Sequence, residues 1–154
     1  MSSRIAKAMW EAMAESPNVM VALNKANGRS EPMHAQLDKD ADGHFWFYTT
    51  QSNRIAAGGK ATVQFVSKNH KLFACITGEL EEETNPAVID KYWSNAVEAW
   101  YENGRQDASL KMMRFNLDDA EIWSVDPTFK GLFKLMSGVS LDPEEMGDHA
   151  QVQL

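Results

Sequence analysis

The spacing of apolar residues changes several times along the chain, and each change predicts an element. Ile5, Met9, Ala12 and Met13 recur at helical intervals with Trp10 beside them, which predicts an amphipathic helix over residues 3–15. Ser16-Pro17-Asn18 ends it. Short strand-like runs follow: VMVALN (19–24), SEPMHAQLD (30–38), HFWFYTT (44–50), ATVQFVS (61–67) and KLFACITGELEEE (71–83). Asn27-Gly28 predicts a hairpin turn between the first two. Pro32 has no backbone donor and belongs at a sheet edge or bulge. Residues 52–58 predict a short helix closed by Gly58-Gly59.

A longer helix is predicted from Pro86 to Tyr101. Proline suits its first turn, and Ile89, Trp93, Val97 and Trp100 mark an apolar face. LKMMRFNLD (110–118) and AEIWSVD (120–126) predict two last strands, and FKGLFKLMSG (129–138) a final short helix. Six or seven strands joined mostly by hairpins imply antiparallel pairing. Short strands with regular turn signals imply a mainly β fold, a β-barrel with α-helices, rather than a doubly wound sheet. No repeat or linker divides the sequence, so a single domain over 1–154 is expected.

Composition narrows the function. At 154 residues, a chain with 44% hydrophobic residues should bury roughly 70% of its unfolded surface, without a disulfide or metal to staple it. Cys75 is the single cysteine and has no internal partner, which fits a reducing compartment. The formal charge of −7 argues against nucleic-acid binding, which needs a basic footprint. The N-terminal MSSRIAKAMWEAMAES lacks the apolar core of a signal peptide, and no run reaches the roughly 18 apolar residues of a membrane span. A cytoplasmic protein with no membrane partner is expected. Asp38, Asp40, Asp42 and Gly43 match the first half of a calcium loop, but the twelfth position is Thr49 instead of the required glutamate. The four histidines have no ligand spacing, and no metal is expected.

The stretch TTQSNRIAAG (49–58) carries the strongest chemical signal. Ser52 can cap the helix predicted there, whose first turn offers unpaired N–H donors and a partial positive charge. Thr49 and Thr50 add hydroxyls at the strand end. Arg54 would sit at the positive end of the helix, a placement costing about 0.3–1 kcal/mol if exposed. A bound phosphate would reverse that sign by accepting from backbone, hydroxyls and guanidinium together. The alternative is an ordinary capped helix with an arginine in solvent.

The order F-Y-T, then S-x-R, then helix resembles the flavin mononucleotide (FMN) signature of the pyridoxamine 5'-phosphate oxidase-like split barrels. GRSEPMHAQ (28–36), ITGELEEE (76–83), AEIWSVDP (120–127) and the closing MGDHAQVQL resemble, in the same order, segments of their general stress protein branch. This resemblance implies a six-stranded antiparallel FMN-binding split barrel, a homodimer with two flavin sites at its interface. It implies that Thr49, Thr50, Ser52, Asn53 and Arg54 hold the phosphate and ribityl end, with Arg54 where many relatives carry lysine. Met33, His34, Ala35 and Gln36 would lie along the flavin ring, with Phe47 and Tyr48 as its floor. Trp123 would approach the ring from the partner subunit, although in a chain with five tryptophans a core position is the simpler reading.

The C-terminal Arg/His cluster with which true pyridoxamine-phosphate oxidases grip substrate has no counterpart in SVDPTFKGLFKLMSG or QVQL. Vitamin B6 oxidation is therefore not expected. The resemblance implies an FMN-binding stress protein, with low flavin oxidoreductase activity as one reading. A noncatalytic module for FMN or a B6 phosphate, or a deazaflavin-dependent reductase, are the alternatives. No catalytic acid or base is assigned; His34 is the only titratable side chain in the ring strand that could shuttle a proton.

Overall fold

Hydrophobic alternation decides which face of each strand turns inward. In the computed structural model, which describes residues 4–25, 27–38 and 40–125 and the backbone of 150–153, seven strands form one antiparallel sheet. In chain order the elements are α1 (Arg4–Glu15), β1 (Asn18–Leu23), β2 (Glu31–His34), β3 (His44–Thr50), β4 (Gly59–Val66), β5 (Leu72–Glu83), α2 (Pro86–Lys91), α3 (Asn95–Glu98), β6 (Leu110–Ser124) and β7 (Ala150–Gln153). The strand order is β2-β1-β4-β5-β6-β3, with β7 added to β6. Phe45 and Phe47 of β3, Val63 and Phe65 of β4, Ile76 of β5, and Phe115 and Ile122 of β6 face inward and are buried. Their alternation with exposed or half-exposed neighbours produces the barrel wall.

The two ends of that strand order meet. β2 stops at His34, and the chain leaves β1 at Ala35, whose N–H donates to Pro17 O at 2.7 Å. Gln36 then pairs with Trp46 of β3 through two backbone bonds of 2.7 and 3.1 Å. The single strand expected over 30–38 is thus a short strand and a bridge with different partners. This switch closes β2 toward β3 and makes a nearly closed six-stranded split barrel. Pro32 lies on β2, an end strand of the order, where its missing donor costs nothing.

α1 plugs the barrel. Ile5, Ala6, Met9, Trp10 and Met13 form its buried stripe, and Trp10 meets Phe45 edge to face with centroids 6.2 Å apart.

Three further sequence expectations are corrected. The two predicted last strands are one strand, β6, because Leu117-Asp118-Asp119 is a bulge and not a turn. Thr77 pairs with Asp119 and Gly78 with Leu117, so Asp118 is the extra residue. A Cβ on Gly78 would lie 2.2 Å from Asn116 O, which explains glycine at the bend. The predicted helix 86–101 is two short helices, broken at Tyr92-Trp93-Ser94, and neither buries a residue. Residues 52–58 form no helix. Three successive turns, Asn53 N to Thr50 O, Ala56 N to Asn53 O and Gly58 N to Ile55 O, each span three residues. Asn53 takes the capping role expected of Ser52, its Oδ1 accepting from Ile55 N at 2.9 Å. The helix predicted over 129–138 lies outside the described residues.

Candidate functional site

β3 delivers the site. Phe47 points into the core, and the strand then ends in Tyr48, Thr49 and Thr50, which reach a cavity of about 600 Å³. Met33 and His34 of β2 and Gln36 just beyond it form one wall, and Asn53 lies at the turn end. Seven of the twelve expected site residues therefore line one cavity. Ser52 is exposed with its Oγ 3.4 Å from Thr50 Oγ1, and Arg54 stands beside the cavity with its side chain half exposed. Ala35 and Phe47 belong to the buried core instead of the cavity wall. Trp123 is half-buried at the far end of β6, opposite Phe73. Among the described residues, neither the fully buried core nor the cavity lining includes it.

The turn after β3 is held from several sides. Gln51 N donates to Ser109 O at 2.9 Å, and Lys111 Nζ donates to Ala56 O at 2.7 Å. Among the described residues, the N–H groups of Ser52 and Arg54 meet no acceptor. With no helix here, an anion would depend on these donors and the side chains, not on a macrodipole. Arg54 Nη1 reaches Arg29 O at 3.5 Å, and its Nε lies 3.8 Å from Glu31 Oε2.

The second wall comes from the segment predicted as one long helix. Asn85 caps α2 and Ser94 caps α3, Ser94 Oγ accepting from Val97 N at 3.3 Å. Ser94, Val97, Trp100 and Tyr101 line the cavity. Tyr48 donates its hydroxyl to Ile89 O, and Tyr101 donates to Thr49 O at 2.7 Å. Trp93 packs against both rings, with centroids 5.6 Å from Tyr48 and 5.7 Å from Tyr101. Lys91 donates to Asp38 at 2.9 Å, so the acidic turn that imitates a calcium loop ties down this lid. Burial pushes the Tyr48 and Tyr101 phenols up to about 12, Tyr48 despite the opposing charge of Arg105. Both hydroxyls stay protonated at neutral pH and act as fixed donors.

Sequence reasoning missed this wall because Trp93, Val97 and Trp100 at helical spacing imply a face turned to the core. Trp100 is in fact 85% exposed. Ser94, a helix-start residue in mid-segment, was the local sign of a break. Glu31, also on the cavity wall, was missed as well; a carboxylate beside Pro32 on an edge strand gives no chemical signal by itself.

A family model described as "Pyridoxamine 5'-phosphate oxidase like" matches residues 5–140. The chain belongs to this family. Within it, the chain falls in the general stress protein branch of the FMN-binding split barrels. It is 37% identical to a general stress FMN/FAD binding protein from Xanthomonas citri, over 80% of this chain and 90% of that one, with a TM-score of 0.74. A general stress family protein from Xanthomonas campestris pv. campestris gives the same identity and coverage, with a TM-score of 0.72. General stress protein 26 from Jannaschia sp. CCS1 shares the fold over 97% of this chain at a TM-score of 0.77 and 24% identity. A search of curated proteins finds no match. As a member of this family the chain has the split-barrel fold implied by its sequence motifs. Among the described residues, no helix is long and apolar enough to cross a membrane, and no three His, Cys, Asp or Glu residues cluster to hold a metal ion.

Proposed function

We propose that this protein binds FMN in the cavity between β2, the end of β3 and the lid, and works as a general stress flavoprotein with slow oxidoreductase activity. The observation that carries the reading is the chemistry in and beside the cavity. Thr49, Thr50 and Asn53 line it next to the Ser52 and Arg54 N–H groups, which meet no acceptor among the described residues, while Met33, Tyr48, Val97 and Trp100 supply apolar and aromatic surface. That distribution suits a ligand with a phosphate at one end and a flat ring at the other. A volume near 600 Å³ lies within the usual range for cofactor sites. The 37% identity to a protein described as FMN/FAD binding supports the same cofactor class.

In this reading Thr49, Thr50, Ser52, Asn53 and Arg54 hold the phosphate and ribityl chain, and Met33, His34 and Gln36 border the ring. Bound flavin supplies a reversible acceptor of electrons or hydride. Tyr48 and Tyr101 orient the site by fixing the lid to β3, and they move no proton. Among the described residues His34 is the one imidazole on the wall, with its Nδ1 3.4 Å from Asn18 Oδ1. We further propose a homodimer, as the family resemblance implies.

Titration of FMN into the protein, followed by quenching of flavin fluorescence, tests the reading. Wild type should bind, and Arg54→Ala should weaken FMN about ten- to hundredfold through loss of a charge-assisted contact. Absence of binding would remove FMN as the cofactor. Reduction of bound flavin by NADH or NADPH would then test the oxidoreductase activity.

A further inference from the structure

One charge on the cavity wall opposes the ligand proposed above. Glu31 enters the cavity from β2, and its side chain is 21% exposed. Its Oε2 lies 3.8 Å from Arg54 Nε, too long for a hydrogen bond. Its Oε1 is buried and meets no donor among the described residues. A carboxylate held this way is poorly compensated, since one oxygen is desolvated without a partner and the other has only a loose ion pair. Arg54 is correspondingly weakly committed, its remaining contact being Arg29 O at 3.5 Å.

Resting on the FMN reading, we propose that Glu31 is a specificity-determining residue that competes with the ligand's phosphate for Arg54 and so keeps the flavin exchangeable. An FMN phosphate carries about −1.5 to −2 charges at pH 7. On reaching Arg54 it displaces Glu31 from that cation and meets the carboxylate as a like charge. The cost falls on phosphorylated ligands alone. Riboflavin, the same ring and ribityl chain without the phosphate, leaves the Glu31–Arg54 pair intact. Glu31 therefore lowers the preference of the site for FMN over riboflavin without touching the ring.

The test compares equilibrium affinities of FMN and riboflavin for wild type, Glu31→Gln and Glu31→Ala by fluorescence titration. Gln keeps the shape and removes the charge, and Ala controls for any effect of the amide. Both variants should bind FMN about tenfold tighter than wild type, the size expected for a dianion beside a half-screened carboxylate. Riboflavin affinity should stay within about twofold, well below the tenfold change expected for FMN. In the Arg54→Ala background the gain from Glu31→Gln should shrink, because the competition for that cation is gone. Unchanged or weaker FMN binding in both variants, with wild type still binding FMN, would overturn this inference alone. Failure of wild type and both variants to take up FMN would overturn it together with the cofactor assignment.

Discussion

Tyr101 shows how a single side chain can hold the site together. Its hydroxyl donates to Thr49 O at 2.7 Å from a nearly buried position, joining the lid to the strand that ends in the Thr50–Arg54 turn. Tyr101→Phe should cost about 0.5–1.5 kcal/mol in stability, the net value of one such bond. It should also loosen the lid, seen as faster amide exchange over residues 93–101. Both Tyr48 and Tyr101 have phenols raised to about 12 in the folded chain, against about 10 when unfolded. The unfolded state loses these protons first as pH rises. The stability they contribute is full below pH 10 and is lost as pH rises through about 12. Urea unfolding across pH 9–12 should show that decline, and it should be smaller in Tyr101→Phe. Sequence order alone could place neither tyrosine's partner, because the bonds run to carbonyls 41 and 52 residues away.

At the scale of elements, alternation and turn signals made most of the barrel legible. α1, β3, β4 and β5 lie within one or two residues of their predicted spans because each has a strong period. The misreadings share a physical cause, namely local signals outvoted by nonlocal pairing. Leu117-Asp118-Asp119 looks like a turn, but β5 holds both flanks in register and turns the extra residue into a bulge. Ser52 looks like a cap, but the backbone closes three-residue turns around Asn53 instead. The bulge also gives a prediction. Gly78→Ala would place a methyl 2.2 Å from Asn116 O, against backbone that cannot move without breaking the ladder. It should destabilise the fold by about 1–3 kcal/mol, measured by chemical denaturation.

Glu83 links the elements on the outer surface. It is buried, accepts from Trp46 Nε1 at 3.0 Å and Asn85 N at 3.2 Å, and pairs with Arg114 at 3.1 Å. Burial alone would push its carboxyl up, but these donors outweigh it and hold the group below the usual carboxylate range. One side chain thus fastens β3, β6 and the start of the lid. The stability it contributes is present above the usual carboxylate value and is lost as pH falls through its lowered one.

Over the whole molecule, the cavity depends on the switch at Ala35. There the chain leaves β1 for β3, which closes the barrel and brings Met33, His34 and Gln36 beside Tyr48, Thr49 and Thr50. Residue types and motif order pointed to those six positions, but for the opposite wall the sequence offered only Ser94, which marks the break between α2 and α3 and not what they pack against. That wall depends on aromatic contacts between distant segments: Trp46 with Tyr92 at 5.2 Å and Trp93 with Tyr48 and Tyr101. If this cavity takes flavin with the phosphate end at Thr50–Arg54, a crystal structure of the protein grown with FMN will show phosphate oxygens within hydrogen-bonding distance of Thr50 and Arg54, and the ring alongside Met33 to Gln36. Flavin bound elsewhere, or lying in this cavity with its phosphate at the opposite end, would refute that assignment.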